Sequence, residues 1–95
     1  MEFDKLVHQQ TRLQIFAYLY QHGETPFSDI KDDLDITEGN LSSHIQKMED
    51  AGAVRVEKEF VDRKPRTTYQ LTDEGRAKFE EHIGTLESLI DGLGE

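Results

Sequence analysis

Between residues 3 and 22 the apolar positions Leu6, Leu13, Phe16, Ala17, Leu19 and Tyr20 recur at spacings of three, four and seven. That pattern predicts a helix over 3–22 with a broad apolar face. A bend near residues 8–11 is compatible with it, with Thr11 capping a second segment, and Gly23 stops the helix. Phe3, Leu6 and Val7 extend the apolar face beyond what one small core needs, so they either pack internally or share in a contact between subunits.

Thr25-Pro26 has the chemistry of a helix start, with the threonine hydroxyl placed to accept from exposed N–H groups and proline suited to the first turn. Phe27, Ile30 and Leu34 give the helix 26–34 one apolar face. Asp35-Ile36 makes the turn, with Ile36 as a buried plug, and Thr37 caps the next helix, 37–51. On it Leu41, Ile45 and Met48 fall at i, i+4 and i+7, with Ala51 at the edge of that face. Gly52 ends the helix in the left-handed conformation glycine tolerates.

Val54, Val56, Lys58 and Phe60 then alternate with Arg55, Glu57, Glu59 and Val61, and Thr67, Tyr69 and Leu71 with Arg66, Thr68 and Gln70. Such period-two patterns joined by Asp62-Arg63-Lys64-Pro65 predict a hairpin over 54–71. Thr72 caps a last helix, 73–91, with Asp73 and Glu74 well placed in its first turn. Phe79, Ile83, Leu86, Ile90 and Leu93 follow at spacings of four, three, four and three, and Leu89 widens the stripe. This heptad-like seam on a terminal helix reads as an interface between subunits. Gly84 interrupts the seam, and Gly92 and Gly94 mark fraying.

The outward face of 37–51 is unusual. Gly39, Asn40, Ser43, Gln46 and Lys47 are small or polar and carry one charge, where a merely solvated helix favours glutamate and lysine. Amide and hydroxyl groups without bulky acids suit a helix lying in a major groove, where they meet base edges. Asn40, Ser42, Ser43, Gln46 and Lys47 are therefore candidates for base or phosphate contacts. His44 lies roughly 60° from the core face at about 100° per residue, so a phosphate contact and a buried structural role both stand.

The net charge of −9 opposes contact with nucleic acid at first sight. Its distribution changes the picture. Residues 1–36 carry 7 acids and 3 bases, residues 72–95 carry 7 and 2, and residues 37–71 carry 6 of each. Within that neutral island Arg63, Lys64 and Arg66 stand against Asp62 alone, so the hairpin tip is locally basic and suited to phosphate or the neighbouring minor groove. Arg12 is a further, weaker candidate, for phosphate or for a surface salt bridge. Low nonspecific affinity and strong salt dependence follow from this distribution.

A length of 95 residues fits one domain, 1–95, and 35% hydrophobic residues demand a compact core or one shared with a partner chain. The absence of cysteine removes disulfides and thiolate chemistry and fits a reducing cytoplasm. No stretch approaches the roughly 20 apolar residues of a membrane span, and the first ten residues lack the pattern of a secretion signal. The serines lie in no nucleophile motif, no glycine-rich phosphate loop occurs, and the carboxylates are scattered, so an enzyme is not expected. No cofactor, metal or small-molecule effector is implied.

Three stretches carry a family resemblance. TEGNLSSHIQKMEDAGAV resembles the recognition-helix segment of ArsR-type and MarR-type winged-helix transcription regulators, through Ser43, His44, Ile45, Met48, Ala51, Gly52 and Val54. RKPRTTYQLTDEGR resembles their wing and its exit, through Tyr69, Leu71, Thr72 and Gly75. FDKLVHQQTRLQIFAYL is similar to the opening helix of small stand-alone members. The resemblance spans residues 3–90 and implies a prokaryotic DNA-binding regulator of transcription. Two departures limit it. Without the cysteine pair of ArsR-type sensors, thiolate metal sensing is excluded; His82, the lone histidine of the last helix, reads as surface or packing, since Glu81 does not share its face. The chain is also too short for the extra helices that form the MarR-type ligand pocket.

The expected fold is mainly α with a small β-hairpin (α+β), a winged helix-turn-helix with a C-terminal dimerisation helix. The expected function is a cytoplasmic homodimer, a repressor, on a pseudo-palindromic double-stranded DNA operator. It would read the duplex through Asn40, Ser42, Ser43, His44, Gln46, Lys47, Arg63, Lys64 and Arg66, and pair through Phe79, Ile83, Leu86, Leu89, Ile90 and Leu93. The competing reading is a winged-helix module that binds protein, which the acidic charge favours.

Overall fold

The structure, a computed structural model, describes residues 4–93; the expectations placed on Phe3 and Gly94 lie outside them. In chain order the elements are α1 (Lys5–His8), α2 (Gln10–His22), β1 (Thr25–Pro26), α3 (Phe27–Leu34), α4 (Glu38–Asp50), β2 (Val54–Val61), β3 (Lys64–Leu71) and α5 (Asp73–Leu93). The strands form one antiparallel sheet in the order β1-β3-β2. No helix among the described residues is long and apolar enough to cross a membrane.

The single helix expected over 3–22 is two. Gln9 is extended (φ −66°, ψ 132°) between α1 and α2, and its side chain, not Thr11, caps α2 by accepting from the Arg12 N–H at 2.8 Å. Arg12 fills the break: its Nε donates to the Leu6 carbonyl at 2.7 Å and a terminal nitrogen reaches the Lys5 carbonyl at 3.4 Å. These carbonyls of a four-residue helix would otherwise lack partners. Ile15, Phe16 and Leu19 are fully buried on α2, whereas Ala17 is exposed. Because α2 packs against α3, α4, α5 and β3, its buried arc is set by neighbours on several sides rather than by one amphipathic stripe.

Thr25 does not cap α3. It pairs with Tyr69 in β1, its hydroxyl donates to the Gly23 carbonyl at 2.9 Å, and α3 begins after Pro26 without a side-chain cap. The competing principle is sheet pairing: β3 offers a free edge, and residues 25–26 take it. Beside this third strand Thr68 is buried, and its hydroxyl donates to Glu24 at 2.8 Å.

Helix α3 ends with Asp35 in the left-handed region (φ 53°), its N–H bonding Asp32 and that of Ile36 bonding Lys31. Helix α4 starts as expected, with Thr37 accepting from the Asn40 N–H at 3.3 Å. It ends in a full Schellman motif: Gly52 (φ 76°) bonds back to Glu49 and Ala53 to Met48. Leu41, Ile45 and Met48 enter the core beside Ile30, Ala53 and Val54. Helix α5 is then locked to the start of β2. Thr72 donates its hydroxyl to the Gly52 carbonyl at 2.6 Å and its N–H to the Ala53 carbonyl at 3.0 Å, while accepting from the Gly75 N–H. A Cβ on Gly75 would lie 2.0 Å from the Ala53 oxygen, so glycine is required by close approach of two backbones.

Candidate nucleic-acid interface

Two projecting features define the site. The radius of gyration is 14.7 Å, against about 12 Å for a compact chain of this size. The first feature is the outer face of α4. Asn40, Ser42, Ser43, Gln46 and Lys47 are all exposed on it. Gln46 is not idle: its amide nitrogen donates to Asp50 at 2.9 Å and approaches Glu49 at 3.5 Å, one turn on.

The second is the hairpin of β2 and β3. The turn is shorter than expected, Asp62-Arg63 alone, with Val61 paired to Lys64 and Phe60 to Pro65. Both turn residues have positive φ, 51° and 66°, as in the type I′ loops that match the twist of a two-stranded ribbon. Pro65 fits inside the strand because pairs alternate between bonded and non-bonded along an antiparallel ladder. One pair out from the turn, its missing N–H lies on the edge that β1 does not reach. Arg63, placed where glycine is favoured, exposes its side chain at the turn of the ribbon, and Lys64 and Arg66 are exposed beside it.

A groove of about 400 Å³ brings the two features together. One wall is the start of α3 (Phe27, Ser28) and of α4 (Glu38, Ser42); the other is β3 (Pro65, Arg66, Thr67, Tyr69). Of the sequence-derived candidates it gathers Ser42 and Arg66, while Asn40, Ser43, Gln46, Lys47, Arg63 and Lys64 stand elsewhere on the exposed helix face and wing. Ser28, Glu38 and Thr67 were missed by sequence reasoning. Ser28 and Glu38 belong to no apolar or charge pattern and Thr67 only to the strand alternation; the fold gives them a place by bringing the starts of α3 and α4 up to β3.

His44 points the other way. It is half-buried, and its Nδ1 accepts from Arg12 at 3.2 Å. Burial first, then the charges of Arg12 and Lys47, hold its pKa below the ordinary histidine value. The neutral ring thus ties α4 to the junction of α1 and α2. Arg12 is correspondingly directed at the Leu6 and Lys5 carbonyls and this ring rather than outward.

The apolar stripe of α5 divides in two. Phe79 is buried within the protomer, its ring parallel to Phe16 at 6.3 Å and tilted against Tyr20 at 5.0 Å, so it belongs to the protomer's core rather than to the free part of the seam. His82 is 2% exposed and packs edge-on to His8, with Nε2 3.3 Å from His8 Nδ1. Burial, then His8, lowers its pKa, against an opposing pull from Asp4. Beyond it the helix emerges: Ile83 and Leu86 are half-buried, and Leu89, Ile90 and Leu93 are 42%, 66% and 79% exposed.

A helix presented outward beside a long basic ribbon, on a tri-helical core, is the arrangement of a winged helix-turn-helix. Residues 11–90 match the model of the winged helix DNA-binding domain family. The chain belongs to that family, and its fold is that of a DNA-binding transcription regulator. It is 32% identical over 79 residues to an uncharacterised protein of Methanocaldococcus jannaschii, covering 83% of this chain and 86% of the relative. The structure is similar to that of a transcriptional regulator homologue from Pyrococcus horikoshii OT3, with a TM-score of 0.87, 39% identity and coverage of 93% and 87% of the two chains. It is also similar to a MarR-family protein from Enterococcus faecalis V583, with a TM-score of 0.78, 26% identity and coverage of 99% and 92%.

Proposed function

We propose that the protein is a cytoplasmic transcription repressor that acts as a homodimer on a pseudo-palindromic operator. In each half-site α4 lies in the major groove, with Asn40, Ser42, Ser43, Gln46 and Lys47 toward bases and phosphates, while Arg63, Lys64 and Arg66 reach backbone or the adjacent minor groove. His44 acts through Arg12, setting the angle of α4 rather than touching the duplex. The observation that carries this reading is the shared groove, in which the recognition helix supplies Ser42 and the wing Arg66.

Dimerisation rests on Ile83, Leu86, Leu89, Ile90 and Leu93, with Phe79 as the buried root of the seam. Three large apolar side chains exposed together on one terminal helix are an unfavourable surface for a monomer. Pairing there would set two recognition helices about 34 Å apart, one turn of the duplex.

The test is a mobility-shift titration with mixed-sequence duplex at low and rising salt. Binding that weakens steeply with salt, and less steeply after neutralising Arg63, Lys64 and Arg66, supports the reading. Complete absence of duplex binding at low salt would favour a protein-binding module instead, a reading that the −9 charge and Glu38 in the groove support.

A further inference from the structure

The apolar end of the wing serves neither the core nor the seam. Phe60 is 78% exposed and its neighbour Val61 39%. Register sets Phe60 opposite Pro65, and strand alternation puts both on the face shared by Val54, Val56, Thr67 and Tyr69. At its base this face is sealed by helices: Val54 is buried and the Tyr69 ring packs 6.0 Å from Phe27. Farther out, Pro65, Thr67 and Tyr69 form the β3 wall of the groove whose opposite wall carries Ser42. Phe60 therefore lies across the ribbon from Pro65, the member of that wall nearest the tip, on the same face as the wall, with Lys58 beside it on that face and Lys64 and Arg66 on the other.

A large exposed aromatic on an edge strand invites association and is usually avoided. Its setting here selects one occupant. Exposed cations on both faces of the ribbon, Lys58 on the face of Phe60 and Lys64 and Arg66 on the other, match phosphates on either side of a groove, and the wall that Phe60 extends leads to α4. Phenylalanine and proline are among the side chains that enter minor grooves and part base steps.

We propose that Phe60, backed by Pro65, is an apolar wedge that enters the minor groove beside the α4 contact and partly unstacks a base step. The inference rests on the DNA-binding reading above. It adds a source of specificity that needs no hydrogen bond: flexible pyrimidine–purine steps deform at least cost, so they are preferred beneath the wing.

The test uses the full chain and a duplex selected by the wild type from a random pool, carrying 2-aminopurine in turn at each step outside the α4 contact. Wild type, Phe60→Ala, Phe60→Leu and Arg66→Ala are titrated from about 50 to 300 mM salt. Phe60→Ala is expected to weaken binding about tenfold at every salt concentration, to leave the salt slope unchanged, and to abolish a 2-aminopurine fluorescence rise seen with wild type. Phe60→Leu recovers part of both, and Arg66→Ala lowers the slope instead. Since Phe60 lies outside the core, its variants keep the wild-type circular dichroism and sedimentation. Wild-type binding with Phe60→Ala within twofold of it and an unchanged fluorescence response overturns the wedge alone. So does a loss of affinity that tracks dissociation of a dimer. If wild type itself binds no duplex at the lowest salt, the DNA-binding reading fails and the wedge with it.

Discussion

Arg63 occupies the second position of a two-residue hairpin turn at φ 66°, where glycine carries no steric penalty. A side chain in that region costs about 1–2 kcal/mol, and glycine returns about 0.4–1 kcal/mol of that through its freer unfolded chain. Arg63→Gly is therefore expected to stabilise the protein by about 0.5–1 kcal/mol. For a domain of this length that raises the melting temperature by roughly 2–8 °C. Binding to duplex should move the opposite way. Each lost phosphate contact lowers the salt slope by about 0.9, so a dimer losing two loses about 1.8, which makes the affinity change between 50 and 200 mM salt about twelvefold smaller. The assays are thermal denaturation and a salt titration of DNA binding on the same preparation. A variant that melts lower, or one whose slope matches wild type, would refute the view that a strained turn is held to place a cation on the backbone.

Three further outcomes follow from particular contacts. Gly75→Ala should destabilise the fold by about 3 kcal/mol in denaturant titration, although helix propensity alone would favour alanine by about 1 kcal/mol, because the added carbon meets the Ala53 oxygen at 2.0 Å. His44 and His82 both have pKa values lowered by burial from 6.5. Between those folded values and 6.5 the unfolded chain binds more protons, so stability is full above pH 6.5 and is lost as pH falls through that window. Melting temperatures from pH 7.5 to 5 should show this, with a shallower fall in His82→Gln; an equal fall would assign the protons elsewhere. Ile90→Glu with Leu93→Glu alters side chains 66% and 79% exposed, so folding should change by less than about 1 kcal/mol. Sedimentation should nonetheless report a monomer, and affinity for a two-half-site duplex should fall by on the order of a hundredfold or more.

Much of this architecture is legible in local chemistry. Thr37, Gly52 and Thr72 announce their helix boundaries because caps and stops act within a few residues. The pattern of Val54 and Val56 against Tyr69 and Leu71 locates the hairpin because alternation is a backbone property. What the sequence conceals depends on distant partners. Residues 25–26 have cap chemistry, and only the free edge of β3 turns them into a strand. Gln9 caps α2 without belonging to the usual capping residues, in a break that Arg12 completes from the next turn. Pro65 looks like part of a turn because proline so often is, whereas here it sits in the ladder with its missing N–H toward an unpaired edge.

The candidate site divides the same way. The outward face of α4 can be counted off at helical spacing, and the basic tip is visible as a charge cluster. The turning-in of His44 is decided by Arg12, 32 residues away in sequence. The periodicity of α5 marks a stripe from Phe79 to Leu93 without saying where core ends and free surface begins. Phe16 and Tyr20 cover its first part, and nothing in α5 itself records that. Ser28 and Glu38 enter the groove only because the starts of α3 and α4 both face β3 across it.

Selection of bound sites from a random duplex pool tests the central claim most directly. A dimer presenting two copies of α4 and two wings should enrich inverted half-sites whose centres lie about 10 base pairs apart. Base preference should be strongest under α4 and a weaker preference should appear under each wing. Enrichment of a single unrepeated half-site would contradict the dimer, and a pool that emerges without enrichment would contradict sequence-specific recognition.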